Sequence, residues 1–206
     1  MISQIPATFQ LTQAQELLLQ AIFPFQPGAW DRNDVEPIKQ EIHAQLLAIQ
    51  NGNCCYCGLK VNEGGRAEID HIAKKGGPRR PAYTEFIFTP KNLVIACQYC
   101  NSSSKKGQDD VLDQVDLTNY DNCTFKIVHP YNDDPTHHYS WSTGRFKILI
   151  SAVSNKGRYS ISLFELDSEA HTFARAKQVM FETRLARYNN RQAIKQRVLD
   201  ILKFNF

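Results

Sequence analysis

No apolar run in the 206-residue chain approaches the roughly 20 residues that a membrane-crossing helix needs, so a helical membrane protein is excluded. The opening MISQIPATFQ lacks the basic-then-apolar layout of a signal peptide, and the expected location is the cytoplasm. Internal repeats, low-complexity tracts and an obvious linker are missing too, so nothing requires separate domains. With 42% hydrophobic residues the chain can bury a core of its own, and one compact unit is expected.

A strong net charge is also lacking, but the overall +3 conceals an uneven distribution. Residues 66–106 carry eight Lys/Arg against three Asp/Glu, and residues 171–206 carry eight against two. The remainder is net −8. Local basicity of this kind suits contact with a polyanion, and it equally suits two ordinary solvated faces.

What the chain does have is thiols. Three of its six cysteines fall within CCYCG, residues 54–58, and another pair, Cys97 and Cys100, lies in ACQYCN. Cys54-x-x-Cys57 and Cys97-x-x-Cys100 form two knuckles, each able to offer two thiolates to one tetrahedral ion at about 2.3 Å. The 39 residues between them exceed the loop of a simple zinc ribbon, so a structural Zn²⁺ would close a large loop with something useful inside it. Such an ion contributes on the order of 10 kcal/mol to folding, more than a small strand unit gains from burial. A redox pair would need one C-x-x-C opening a helix in a βαβ pattern, which two matched pairs fit poorly. Cys55 takes a packing role, and Cys123 reads as a small buried hydrophobe.

Around the knuckles, Thr12 and Gln15 form a capping box for a helix through LLLQAI, which Pro24, Pro27 and Gly28 end. Asp34 and Pro37 open a second helix with Ile38, Ile42, Leu46 and Ile49 on one stripe, stopping at Asn51-Gly52. RAEIDHI and NLVIAC read as strands separated by the loop GGPRRPAY, and QYCNSSSKKG as the start of a helix ending at Gly107. RFKILISAV and RYSISLFEL flank Ser154-Asn155-Lys156-Gly157 and predict a β-hairpin. A long basic helix is predicted from about Ser168 to Leu202.

The order C-Y-C-G, I-D-H-I, then N-L-V-x-A-C-x-x-C-N with a following Lys resembles the HNH endonucleases, over roughly residues 53–108. The resemblance implies an α+β fold with a zinc-stapled ββα-metal core (53–108), an N-terminal helical segment (1–52) and a C-terminal extension of hairpin and helix (109–206). It makes His71 the general base, Asn92 its orienting partner, and Asp70 with Asn101 the ligands of one catalytic cation. Asn101 stands where many relatives have His, and its carbonyl favours Mg²⁺ or Mn²⁺ over softer ions. Histidine suits proton abstraction at neutral pH. Asp70 and His71 would point to opposite faces of a strand, so one site for both needs a bend there. Arg79, Arg80, Lys105 and Lys106 would line the substrate path as phosphate contacts.

Outside that core, IVHPYNDDPTHHY (residues 127–139) gathers three histidines and two aspartates; a second metal site is conceivable, and Pro130 and Pro135 favour a structured turn. The layout is also similar to HNH nucleases of bacterial anti-phage systems, the Septu type and retron-associated effectors among them, which implies a partner ATPase. The expected activity is metal-dependent hydrolysis of phosphodiesters, DNA before RNA. The alternatives are a zinc-dependent nucleic-acid-binding module and an interaction scaffold without cleavage.

Overall fold

Thr12 caps the first helix, α1 (Gln13–Ala21), by the reciprocal pair the sequence announces. The Gln15 N–H donates to Thr12 Oγ1 and the Thr12 N–H to Gln15 Oε1 (2.9 Å). The computed structural model describes residues 1–61, 65–77, 80–143, 146–188, 196–197 and 199–201. Helix α2 (Glu36–Ile49) begins without a side-chain cap, since Asp34 is turned to Arg32 instead; Pro37 supplies a pre-set φ in its first turn. Its stripe of Ile38, Ile42 and Leu46 is buried against the central strands.

Those strands are β1 (Ala67–His71) and β4 (Leu93–Cys97), antiparallel with Ala67 opposite Cys97 and His71 opposite Leu93. Every residue of β4 is buried, yet the strand has one backbone neighbour in its sheet. Side chains complete its open edge. Gln50, at the end of α2, accepts from the Ile95 N–H (2.7 Å) and donates to the Ile95 carbonyl (2.8 Å), and Tyr131 donates to the Leu93 carbonyl (2.8 Å). A buried backbone group without a partner costs about 1–3 kcal/mol, which is why a glutamine survives in this core.

Between β1 and β4 the chain makes a short hairpin, β2 (Lys75–Gly77) with β3 (Arg80–Ala82), then single helical turns at Thr84–Phe86 and Pro90–Asn92. After β4 it follows a run of tight turns where a helix was expected. The Ser102 carbonyl accepts from both Lys105 N–H (3.1 Å) and Gly107 N–H (2.9 Å), closures of three and five residues where an α-helix closes over four. Ser102 and Ser104 bond each other (3.0 Å), the local competition that makes serine runs poor helix formers. Among the described residues the helical third element of a ββα core is therefore absent, while the coarser class, mixed helices and small sheets, stands.

Strands β5 (Leu112–Gln114) and β6 (Thr124–Phe125) form a third two-stranded sheet, and β7 (Tyr139–Trp141) pairs with β8 (Ile150–Ala152). The hairpin expected at 145–166 is corrected: β8 turns back to β7, and residues Asn155–Phe164 form helix α3. Ser154 caps it, its Oγ accepting from the Gly157 N–H (3.0 Å). Gly157, Ser160, Ile161 and Phe164 are its buried face, a helical spacing hidden beneath the alternation of Tyr159, Ile161 and Leu163. Gly157 is a packing glycine rather than a turn glycine: a Cβ there would lie 2.1 Å from the His138 carbonyl oxygen. Helix α4 (Glu169–Tyr188) begins where expected, and residues 196–197 and 199–201 are also helical; the rest of the expected course to Leu202 lies outside the described residues. One cluster of buried apolar side chains runs from Ile5 to Leu166.

Replacing Gln50 by leucine keeps its bulk and strands the Ile95 N–H. A loss of about 1–3 kcal/mol is expected in urea unfolding, and a loss below about 0.5 kcal/mol would remove Gln50 as the edge-closing group.

Candidate metal centre and the polar site beside it

The two knuckles converge. The sulfurs of Cys54, Cys57, Cys97 and Cys100 all lie within 4.8 Å of one another and are buried, and Cys57 Sγ stands 4.0 Å from Cys97 Sγ. A tetrahedron with bonds of about 2.3 Å has edges of about 3.8 Å, so the four thiols fit Zn²⁺ with little rearrangement. The first knuckle turns through Gly58 at φ +72°, with the Gly58 N–H donating to the Cys54 carbonyl (3.0 Å). The second turns where the Asn101 N–H donates to the Cys97 carbonyl (3.1 Å). Burial opposes ionisation of Cys54, but hydrogen bonds from Cys100, Cys55, Cys57 and Cys97 outweigh it and pull that thiol well down. Burial pushes the Cys55 thiol well up, and Cys55 stays outside the cluster. Among the described residues these four are the one group of three or more such side chains close enough to share an ion, and residues 127–139 fold as turns around a buried His129.

Beside the cluster, β1 carries its polar residues to opposite faces. Asp70 accepts from Tyr56 Oη (2.6 Å) and from the buried ammonium of Lys106 (2.9 and 3.0 Å); Lys106 also donates to the His71 carbonyl (2.6 Å). Glu68, two residues earlier on the same face, accepts from Asn101 Nδ2 (2.9 Å). His71 turns the other way, its ring edge-on to Trp30 at 4.5 Å and its Nε2 3.1 Å from the Ile87 carbonyl. A carbonyl only accepts, so Nε2 carries the proton and the lone pair is on Nδ1. Burial, then the charges of Lys75 and Lys106, push the imidazole down to about 3, so it is neutral near pH 7. Asn92 braces the intervening loop: its Oδ1 accepts from the Ala73 N–H (2.6 Å), and its Nδ2 donates to the carbonyls of Ala73 (3.0 Å) and Phe86 (2.9 Å).

Thus Asp70 with Lys106, and Glu68 with Asn101, are gathered on one face, while His71 and Asp70 reach different partners. As arranged, the oxygens do not fit a divalent cation. Both Asp70 oxygens are bonded to Lys106, one of them also to Tyr56, and the Asn101 amide is turned to Glu68.

The expected phosphate contacts are differently employed. Lys106 is buried, and Lys105 pairs with Glu165 and lies 5.2 Å over the Tyr99 ring. Arg79 lies outside the described residues, as does the side chain of Arg80, whose backbone belongs to β3. Elsewhere in the basic stretch, Arg66 meets Glu68, Lys75 meets Asp31 and Lys91 meets Asp121. Tyr56, Glu68 and Trp30 are contacts that the sequence reading passed over. Glu68 was legible, since it alternates with Asp70 on a strand; nothing local pointed to Trp30.

No protein-family model matches the chain, and no solved structure matches it. Two curated proteins are similar to it. The Septu protein PtuB of Bacillus mycoides (strain KBAB4) is 24% identical over 188 residues, covering 84% of this chain and 63% of that protein. The Septu protein PtuB of Bacillus thuringiensis is 24% identical over 130 residues, covering 63% of this chain and 42% of that protein. These are distant relatives, and the chain spans less than two thirds of either one's length.

Cys97→Ser is expected to release zinc and to forfeit on the order of 10 kcal/mol of folding free energy. Metal content by mass spectrometry together with thermal melting checks this, and equal values for variant and wild type would overturn the stapled core. Acid adds a second expectation. His129 is buried and its imidazole, like that of His71, is pushed down to about 3 by burial. Between pH 6.5, the ordinary histidine value, and about 3 the unfolded chain therefore binds more protons than the folded one. That stability is complete above pH 6.5 and is lost as pH falls toward 3. At saturating zinc, the urea midpoint of His129→Gln should fall less between pH 7 and 5.5 than that of wild type, and parallel falls would sink the assignment.

Proposed function

We propose that the chain is a nuclease of anti-phage defence, hydrolysing phosphodiester bonds in nucleic acid, DNA before RNA, beside a partner ATPase. The observation that carries this reading is His71: a neutral imidazole with its proton tied to the Ile87 carbonyl and its lone pair on Nδ1, ending a strand whose partner leads into the four-cysteine cluster. The relationship to two Septu proteins supports the defence setting.

Hydrolysis needs a water stripped of a proton in line with the leaving oxygen, and His71 Nδ1 is the group to take it. In the free protein the ring is a weak base, but a phosphate anion beside it favours the imidazolium and restores basicity during the reaction. Asn92 holds the 73–92 loop and so positions the carbonyl that orients the ring. A depression of about 380 Å³ lined by Trp30, Glu36, Lys39, Gln40, His43 and Ile69 lies on the face of β1 that carries His71; Trp30 stands between it and the imidazole, and Lys39 is paired with Glu36. Asp70 and Asn101 lie on the opposite face of β1, bonded to Lys106 and Glu68, and as arranged they do not hold the expected Mg²⁺ or Mn²⁺, so no step assigned to His71 runs through that ion.

Supercoiled plasmid incubated with the protein, with and without Mg²⁺ or Mn²⁺, tests the proposal. Nicking is expected, and His71→Ala, its zinc content unchanged, should lower it by about 10²–10⁴-fold. Retarded but unnicked DNA would replace the nuclease by a binding module; neither retardation nor nicking would leave the scaffold.

A further inference from the structure

Arg175 is buried to 3% exposure on α4, and among the described residues no carboxylate lies within ion-pairing distance of it. Its guanidinium donates to the carbonyls of Ile148 (2.6 Å) and Leu166 (2.9 Å) and lies 5.0 Å over the Trp141 ring, while its Nε, fully buried, has no partner. A buried cation neutralised by no anion is costly.

The two cysteine knuckles lie against α4 on either side of Arg175. His171, Arg175 and Gln178 stand at steps of four and three and so share one face of the helix. His171 packs against the ring of Tyr99, inside the second knuckle, at 5.3 Å. Gln178 accepts from the Lys60 N–H (3.0 Å) and donates to the Gly58 carbonyl (3.3 Å), at the end of the first knuckle. Arg175 lies between them, on the face that spans both pairs of cysteines.

We infer that Arg175 is the counter-charge of the four-thiolate centre and that α4 is its cover, docked in full only when the metal is bound. Four thiolates around one Zn²⁺ form a doubly negative group, which in a buried site calls for a cation or hydrogen-bond donors around the sulfurs. The inference concerns the structural ion alone and stands whether or not the chain cuts nucleic acid.

Zinc transfer from the loaded protein to a colorimetric chelator, timed for wild type, Arg175→Met and Arg175→Lys, tests the charge. Arg175→Met should release zinc about 10–100-fold faster, and Arg175→Lys, which keeps the charge but loses the fork of hydrogen bonds, should fall between. Release from Arg175→Met at the wild-type rate would overturn the inference, and so would equal acceleration in both variants, the mark of a purely hydrogen-bonding role. Hydrogen exchange on the wild-type chain decides the docking independently, even if Arg175→Met does not fold. Chelation should expose the amides of residues 169–188 before those of α2 and β4, and unchanged protection there, or loss of protection at the same rate across the whole chain, would overturn it.

Discussion

Four sulfurs drawn within 4.8 Å from two pairs of chain positions at least 40 residues apart set the terms for everything else in this protein. Cys97 is the last residue of β4, and the pair at 54 and 57 comes soon after α2 ends at Ile49, so closing the cluster presses helix and strand together. An apolar core could not fix these segments as sharply: dispersion and burial are non-directional, whereas a tetrahedral ion demands four atoms at defined places.

Around that anchor the protein relies on polar side chains used as pieces of backbone. Gln50 stands in for a neighbouring strand at Ile95, Asn92 closes a loop through three hydrogen bonds, and Ser160 Oγ accepts from the Val128 N–H. Each is buried and each meets main-chain groups that the small two-stranded sheets leave unpaired. With sheets this short, most of the order has to come from such substitutions rather than from ladders.

The sequence made the anchor and its flanking strands legible, because cysteine spacing and β-branched runs are local signals of well-defined chemistry. Helices α1 and α2 were equally plain from Thr12, Gln15 and the isoleucine stripe. Where it misled, at 100–107 and 155–164, a tertiary contact decided between two admissible local readings. Ser102 and Gly107 close turns around a lysine drawn inward to Asp70; Gly157 fits beneath a carbonyl that only the fold brings there. The identity of the residues around His71 was legible, but their partners were not. That Asp70 meets an ammonium, and that Trp30 flanks the imidazole, depends on segments 36 and 41 residues away in the chain.

The basic stretch at 66–106 changes meaning once its pairings are known. Arg66, Lys75, Lys91, Lys105 and Lys106 each face a carboxylate, three of those carboxylates coming from outside the stretch. Opposite charges at contact cancel beyond a few ångströms, well within a Debye length of about 8 Å at physiological salt. These five cations therefore behave as mortar between segments and project little field into solution. From these five a polyanion would feel weak long-range steering and a shallow ionic-strength dependence, and contact with them would depend on shape and short-range fit.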